Sequence, residues 1–204
     1  MVNRNYEKVF AFLEKNYKEI PLEVYGGNPF KTLVSTLLSA RTRDETTLTI
    51  CERLFKKAPD FNQIAQMPTN QIAKLIYPAG FYREKAKNLR KTAEILTTKY
   101  KGRVPDNIDK LTKLPGVGRK TANLILARAY NQDAISVDTH VHKITNLLGW
   151  VKTKTPEQTE KQLIKIIPKK YWREINRLFV SLGRQFRSRR KLVEFLEEHK
   201  PILA

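Results

Sequence analysis

The sequence predicts an all-α protein. Three observations carry that expectation. Apolar residues recur at three- and four-residue spacing along almost the whole chain, helix-capping residues punctuate the recurring segments, and only short apolar runs such as Ala134-Ile135-Ser136-Val137 suggest a strand, with nothing to pair with. In chain order, Phe10, Phe12, Leu13 and Tyr17 mark a first helix, and the turn Tyr25-Gly26-Gly27-Asn28 ends in a cap. Asn28 is followed by Pro29, a residue suited to the first helical position, and then by Leu33, Leu37 and Leu38. Leu48, Cys51, Leu54 and Phe55 continue the pattern, and Pro78-Ala79-Gly80 breaks it before Leu89, Ala93, Ile95 and Leu96. A glycine-rich turn at 114–118 feeds Thr121-Ala122-Asn123-Leu124-Ile125-Leu126-Ala127, and Asp138 opens the next helical run as a favoured cap. Thr155-Pro156-Glu157-Gln158 is a capping box of the Thr-x-x-Gln type. The stripes Leu163, Ile166, Ile167 and Leu178, Phe179, Leu182, Phe186 follow. Repeats, low-complexity segments and an obvious linker are all missing.

With 39 Lys and Arg against 20 Asp and Glu, the 204-residue chain carries a formal charge of +19. A polyanion is therefore the favoured partner, nucleic acid first, although ribosomal and membrane-surface proteins share such a charge. No apolar run is long enough to cross a bilayer, and the polar start Met1-Val2-Asn3-Arg4-Asn5 does not read as a signal peptide. The single cysteine, Cys51, excludes an intramolecular disulfide and a multi-cysteine metal site, and its place between Leu48 and Leu54 reads as core filler. The expectation is a soluble intracellular protein of the cytoplasm or nucleoid that faces DNA or RNA.

The densest chemistry lies in Leu114-Pro115-Gly116-Val117-Gly118-Arg119-Lys120, followed by Val137-Asp138-Thr139-His140-Val141. A Pro-Gly-x-Gly turn reverses the backbone sharply, so the glycines are expected at φ > 0 with no room for a Cβ. Lys113 to Gly118 would present consecutive N–H groups to an anion, and Arg119 would add charge. Lys120 sits where the helix dipole and Arg119 both favour a neutral amine, the form that acts as a nucleophile. Taken alone, it is one lysine among 39 basic residues and reads equally as a solvated side chain. His140 and His142, two apart, point to different sides of a helix, which argues against a shared metal. His142 and His199 read as ordinary surface or packed residues.

These strings together resemble the helix-hairpin-helix signature of the endonuclease III family of DNA glycosylases, and the resemblance runs from about Phe30 to Arg187. It implies the helix-hairpin-helix glycosylase fold, two helical lobes flanking an active-site cleft. Residues 22–132 would form a central helical-barrel lobe, and 1–21 with 133–204 a second lobe built from both termini. Lys113, Leu114, Pro115, Gly116, Val117, Gly118 and Arg119 would hold a DNA phosphate, with a monovalent cation on the hairpin carbonyls. Lys120 would attack the sugar C1′, displace the base and form a Schiff base that β-elimination resolves. Asp138, across the cleft, would stabilise the oxocarbenium-like sugar and help deprotonate Lys120 or a water.

The resemblance extends to the loops that enter the duplex once a base has left the stack. Leu38-Ser39-Ala40-Arg41-Thr42-Arg43-Asp44 matches the gap-filling loop, with Arg41 where glutamine is frequent. Gly80-Phe81-Tyr82-Arg83-Glu84-Lys85-Ala86 matches a second wedge loop, with Phe81 where leucine is frequent; the other reading of Phe81 is a buried core aromatic. Asp44 matches a pocket carboxylate, or is the N-cap of a helix beginning at Glu45, and His140 lies within reach of DNA. Many family members end in four cysteines that bind an iron–sulfur cluster; this chain has none there, so no cluster is expected. In its place Leu192, Phe195 and Leu196 would pack a helix end. Arg184, Arg187, Arg189, Arg190 and Lys191 would form a substitute phosphate patch or a solvated basic helix. The implied function is a monomeric, cofactor-free, bifunctional glycosylase and abasic-site lyase for oxidised pyrimidines of the thymine glycol type in damaged double-stranded DNA. Two alternatives stand beside it: a glycosylase for alkylated or mismatched bases, and a non-catalytic DNA-binding module.

Overall fold

The computed structural model describes residues 5–203; Met1-Val2-Asn3-Arg4 lie outside them. Its α-helices are α1 Tyr6–Lys15, α2 Pro29–Ser39, α3 Asp44–Lys57, α4 Phe61–Gln66, α5 Thr69–Ile76, α6 Tyr82–Tyr100, α7 Ile108–Leu111, α8 Arg119–Tyr130, α9 Thr139–Leu147, α10 Pro156–Ile166, α11 Trp172–Arg184, α12 Arg189–Glu198 and α13 Lys200–Leu203, with no strand among the described residues. The stretch from Ile135 to Val137 is buried but forms no regular element. The chain divides into two units: Pro21–Gln132, and the segment up to Ile20 together with everything from Asp133 onward.

The first unit is built around α2, which packs on α3, α6 and α8. Each helix turns an apolar stripe inward: Leu33 and Leu38 from α2, Ile50 and Leu54 from α3, Ile72 and Ile76 from α5, Leu89 and Leu96 from α6, Ile125 from α8, all essentially inaccessible. At about 1.5–3 kcal/mol per fully buried aliphatic side chain, this stripe matching outweighs any single polar contact in the unit. Local chemistry sets the helix starts. Asn28 Oδ1 accepts from the Lys31 N–H at 3.0 Å with Pro29 at the first position, Asp60 Oδ1 accepts from Gln63 at 2.8 Å, and Asn107 Oδ1 accepts from Asp109 at 2.9 Å.

The second unit is organised by α11, whose Ile175, Leu178, Phe179 and Leu182 follow the i, i+3, i+4, i+7 spacing and are all buried. The N-terminal α1 joins it through Phe10, stacked on Tyr171 at 4.1 Å, and through Glu14, which pairs with Arg177 at 2.6 Å while Glu174 holds the same guanidinium at 2.8 Å. Thr155 caps α10 as expected, accepting from Gln158 at 3.3 Å. The Gln158 side chain reaches back to the Lys154 N–H at 2.9 Å, one residue ahead of the usual capping-box donor. At the C-terminus Leu192, Leu196 and Leu203 are buried and Phe195 is partly so; the Trp150 indole N–H donates to the Leu203 carbonyl at 2.6 Å. Both remaining histidines are packed: His142 Nδ1 lies 2.6 Å from Thr159 Oγ1, and the His199 ring stacks on Phe195 at 4.3 Å. Cys51 is fully buried on α3, and burial pushes its thiol up to about 12. Among the described residues no helix is long and apolar enough to span a membrane.

Candidate active site and nucleic-acid interface

The hairpin is held from beneath by Leu114 and Val117, both buried, and by Thr92, whose hydroxyl donates to the Pro115 carbonyl at 3.2 Å. Gly116 takes φ +78 and sits against Leu37, where a Cβ would approach Leu37 Cδ2 to 3.3 Å. Gly118 departs from the expectation. It is the N-cap of α8 with extended backbone at φ −86 and ψ 175, and nothing lies within 4 Å of where its Cβ would stand. Its backbone is bare to the outside rather than crowded from within.

The expected run of consecutive N–H groups is also interrupted. The N–H groups of Lys113, Leu114 and Val117 donate to the carbonyls of Lys110 at 3.3 Å, Leu111 at 3.0 Å and Leu114 at 3.1 Å, and Pro115 has none. Those of Gly116 and Gly118 have no acceptor among the described residues. The turn therefore presents two alternate donors rather than five successive ones, ahead of a helix whose first two residues are Arg119 and Lys120, both exposed.

Asp138 is the N-cap of α9, and its Oδ1 accepts from the Val141 N–H at 2.9 Å. The residue is half-buried, and one of its two carboxylate oxygens is committed to the helix. The approach to it is rigid: Ile135 and Val137 enter the core, and the buried Asn176 amide donates to the Ser136 carbonyl at 3.2 Å. His140, the second residue of α9, packs its ring directly over Gly183 of α11. A Cβ there would stand 2.1 Å from His140 Nδ1. Nothing in the sequence reading pointed to Asn176 or Gly183, although a glycine inside a strongly apolar helix is a recognisable sign of close approach.

In the loop before α3, Arg43 rather than Glu45 or Asp44 begins the transition. The Arg43 carbonyl accepts the first helical bond from Thr47 at 2.9 Å, and Asp44 is the first residue inside the helix. The N-cap reading of Asp44 is therefore corrected; as a first-turn acid it complements the helix dipole. Phe81 is likewise not a core aromatic, being 63 % exposed. It caps α6 in a left-handed conformation at φ 57, and Arg41 adopts the same region at φ 54. Left-handed backbone at a non-glycine residue costs on the order of 1–3 kcal/mol and persists only where surrounding contacts over-determine it. The two residues meet, with the Arg41 guanidinium carbon 5.2 Å from the centre of the Phe81 ring. Of the C-terminal cations, Arg184, Arg187, Arg189, Arg190 and Lys191 are all exposed, and Arg190 pairs with Glu194 at 3.4 Å.

Residues 34–169 match the model of the HhH-GPD superfamily of base excision DNA repair proteins. The endonuclease III of Thermotoga maritima is 42 % identical over 185 residues, covering 91 % of this chain and 84 % of that one. The chain spans little more than half the length of the vertebrate endonuclease III-like proteins that it also matches. Among solved structures, a non-covalent endonuclease III–DNA complex aligns with a TM-score of 0.80 at 33 % identity, over 90 % of this chain and 87 % of that one. A trapped endonuclease III–DNA covalent intermediate with an estranged adenine aligns at 0.78 and 32 %, over 90 % and 86 %.

Proposed function

This chain belongs to the HhH-GPD superfamily of base excision DNA repair proteins, and from that premise we propose that it is a bifunctional DNA glycosylase and abasic-site lyase acting on oxidised pyrimidines in duplex DNA. The observation that carries the reading is an exposed lysine in the first turn of α8, directly behind a hairpin with two unengaged N–H donors and an uncrowded glycine backbone. Gly116 and Gly118 receive a phosphate oxygen, and Arg119 adds a positive charge that positions the strand without reading its sequence. The Lys120 amine, as its free base, attacks C1′. The C1′–N bond breaks, and the base leaves with a proton. Ring opening gives an imine between Nζ and C1′, which acidifies the C2′ proton; its loss expels the 3′ phosphate by β-elimination, and water then releases the lysine. The Asp138 carboxylate, held in place as a cap, stabilises positive charge at the sugar and takes a proton. A covalent step through an amine requires no metal. Thymine glycol-type lesions are the substrates this reading names, and Arg41 and Phe81 fill the space that the extruded nucleotide leaves.

Borohydride trapping tests it, using duplexes that carry either an abasic site or thymine glycol. The wild type should form an adduct with both, and Lys120→Ala should form none while binding DNA within a few-fold of wild type. An adduct on the abasic site alone would move the substrate to alkylated or mismatched bases. Proportionate loss of adduct and binding in the variant would leave the hairpin as a clamp only.

A further inference from the structure

Lys85 lies one turn into α6, and its backbone N–H donates to the Phe81 carbonyl at 3.0 Å, which fixes it to the Phe81 loop. Its side chain reaches the other loop. Nζ donates to the Leu38 carbonyl at 2.6 Å, to the Ala40 carbonyl at 2.5 Å and to Thr42 Oγ1 at 2.9 Å. The two carbonyls belong to the C-terminal end of α2, where helical C=O groups lack intrahelical partners and the dipole favours a cation. Thr42 Oγ1 also accepts from the Gly80 N–H at 3.1 Å. Gly80 is required by the same approach, because a Cβ on it would stand 2.3 Å from the Arg41 carbonyl oxygen. All three acceptors are uncharged, so this is a hydrogen-bonding clasp rather than an ion pair. Burial lowers the amine to about 8, so at neutral pH it keeps its proton and three hydrogens meet three acceptors.

We propose that Lys85 is a positioning residue that locks the loops bearing Arg41 and Phe81 into one preassembled wedge, so that the duplex is opened by a rigid pair of side chains rather than by two independently moving loops. The inference rests on the reading of Arg41 and Phe81 as the residues that enter the duplex. Without the clasp, both left-handed tips and the Arg41–Phe81 stack must be ordered at the moment of binding, a cost of roughly ten- to a hundredfold in rate on a stacked substrate.

The test compares borohydride trapping rates on an abasic site in duplex DNA and in single-stranded DNA of the same sequence, where nothing needs opening. Lys85→Met should lose about tenfold or more on the duplex and stay within about twofold of wild type on the single strand. The single strand also reports that the variant is folded. Thr42→Val, which removes one of the three acceptors, should shift the same ratio in the same direction by less, and it serves if Lys85→Met fails to fold. A 2-aminopurine opposite the abasic site should brighten when wild type binds and remain quenched with Lys85→Met. Equal losses on both substrates, or an unchanged ratio in both variants, overturn the proposal. A wild type that traps neither substrate removes the underlying reading instead, and that outcome needs no variant to recognise.

Discussion

Asp138 carries two roles that substitution can separate. Its Oδ1 accepts from the Val141 N–H at 2.9 Å, so Asp138→Ala removes a helix cap and should cost about 1 kcal/mol. For a chain of 204 residues that corresponds to a melting temperature lower by about 2–4 °C. Asparagine retains a side-chain oxygen in the same place and ranks with aspartate as a cap, so Asp138→Asn should keep most of that stability, losing only the few tenths that a charge at a helix N-terminus supplies. Neither variant keeps a carboxylate, and both should therefore lose about 100-fold or more in single-turnover base excision, as expected for a positioned proton acceptor or charge stabiliser. Thermal unfolding and excision under single-turnover conditions read the two effects independently. Near-normal excision by Asp138→Asn would reduce Asp138 to a cap and refute its place in the mechanism. Equal destabilisation by both variants would show that the observed hydrogen bond is not what holds α9.

Gly183→Ala places a Cβ 2.1 Å from His140 Nδ1 and 2.8 Å from its ring carbon, so the entire imidazole must move. Overpacking of this kind costs about 1–3 kcal/mol, and an unchanged thermal melt would mean that the His140 ring is free to swing away. Cys51 has no accessible surface, and its thiol is pushed up to about 12, so a disulfide reagent at pH 8 should titrate nothing until denaturant is added; one fast equivalent in the native protein would contradict the α3 packing. Replacing Arg189, Arg190 and Lys191 together by glutamine should reduce the slope of log affinity against log salt by about 2–3 on duplex DNA, and an unaltered slope would assign these cations to solvent.

What was legible in the sequence is what local contacts decide. The caps at Asn28, Thr155 and Asp138 each bond three residues ahead, and the apolar stripes of α2, α3 and α11 need only their own periodicity to be seen. The left-handed turn at Gly116 follows from the residue type. Contacts between distant segments were not legible. Lys85 meets residues 43 to 47 positions away, Asn176 holds Ser136 from 40 away, and Gly80 adjoins Thr42 from 38 away. Phe81 shows the difference most plainly. As an aromatic in an otherwise helical pattern it reads equally well as core, and its exposure depends on a left-handed cap that a single residue type does not announce. Gly118 shows the reverse: its type predicted a crowded turn, whereas its open surroundings direct attention to whatever approaches from outside.

Helix chemistry bears on the basic patch as well. Acidic residues occupy the first turns of α1, α3, α6, α7, α10 and α11, as the positive end of a helix dipole favours. Three helices of ten residues or more have no acid there, α2, α8 and α12, and the last two begin on successive cations. α8 opens on Arg119 and Lys120, and α12 on Arg189, Arg190 and Lys191, with no acid in either first turn. Each such cation opposes the dipole by a few tenths of a kcal/mol to about 1, and successive like charges add to the cost. On α12 the compensation available within the chain is modest: Ser188 caps the backbone by accepting from Lys191 at 3.3 Å, and Glu194 meets Arg190 at an exposed site worth little. The helix is anchored instead by Leu192 and Leu196 on its opposite face, which supply enough burial to tolerate the charge. A polyanion laid across that first turn would relieve the dipole and the mutual repulsion together, as it would at α8. The phosphate-patch and solvated-helix readings of α12 separate in the triple glutamine variant, whose salt slope falls only if these cations meet phosphate.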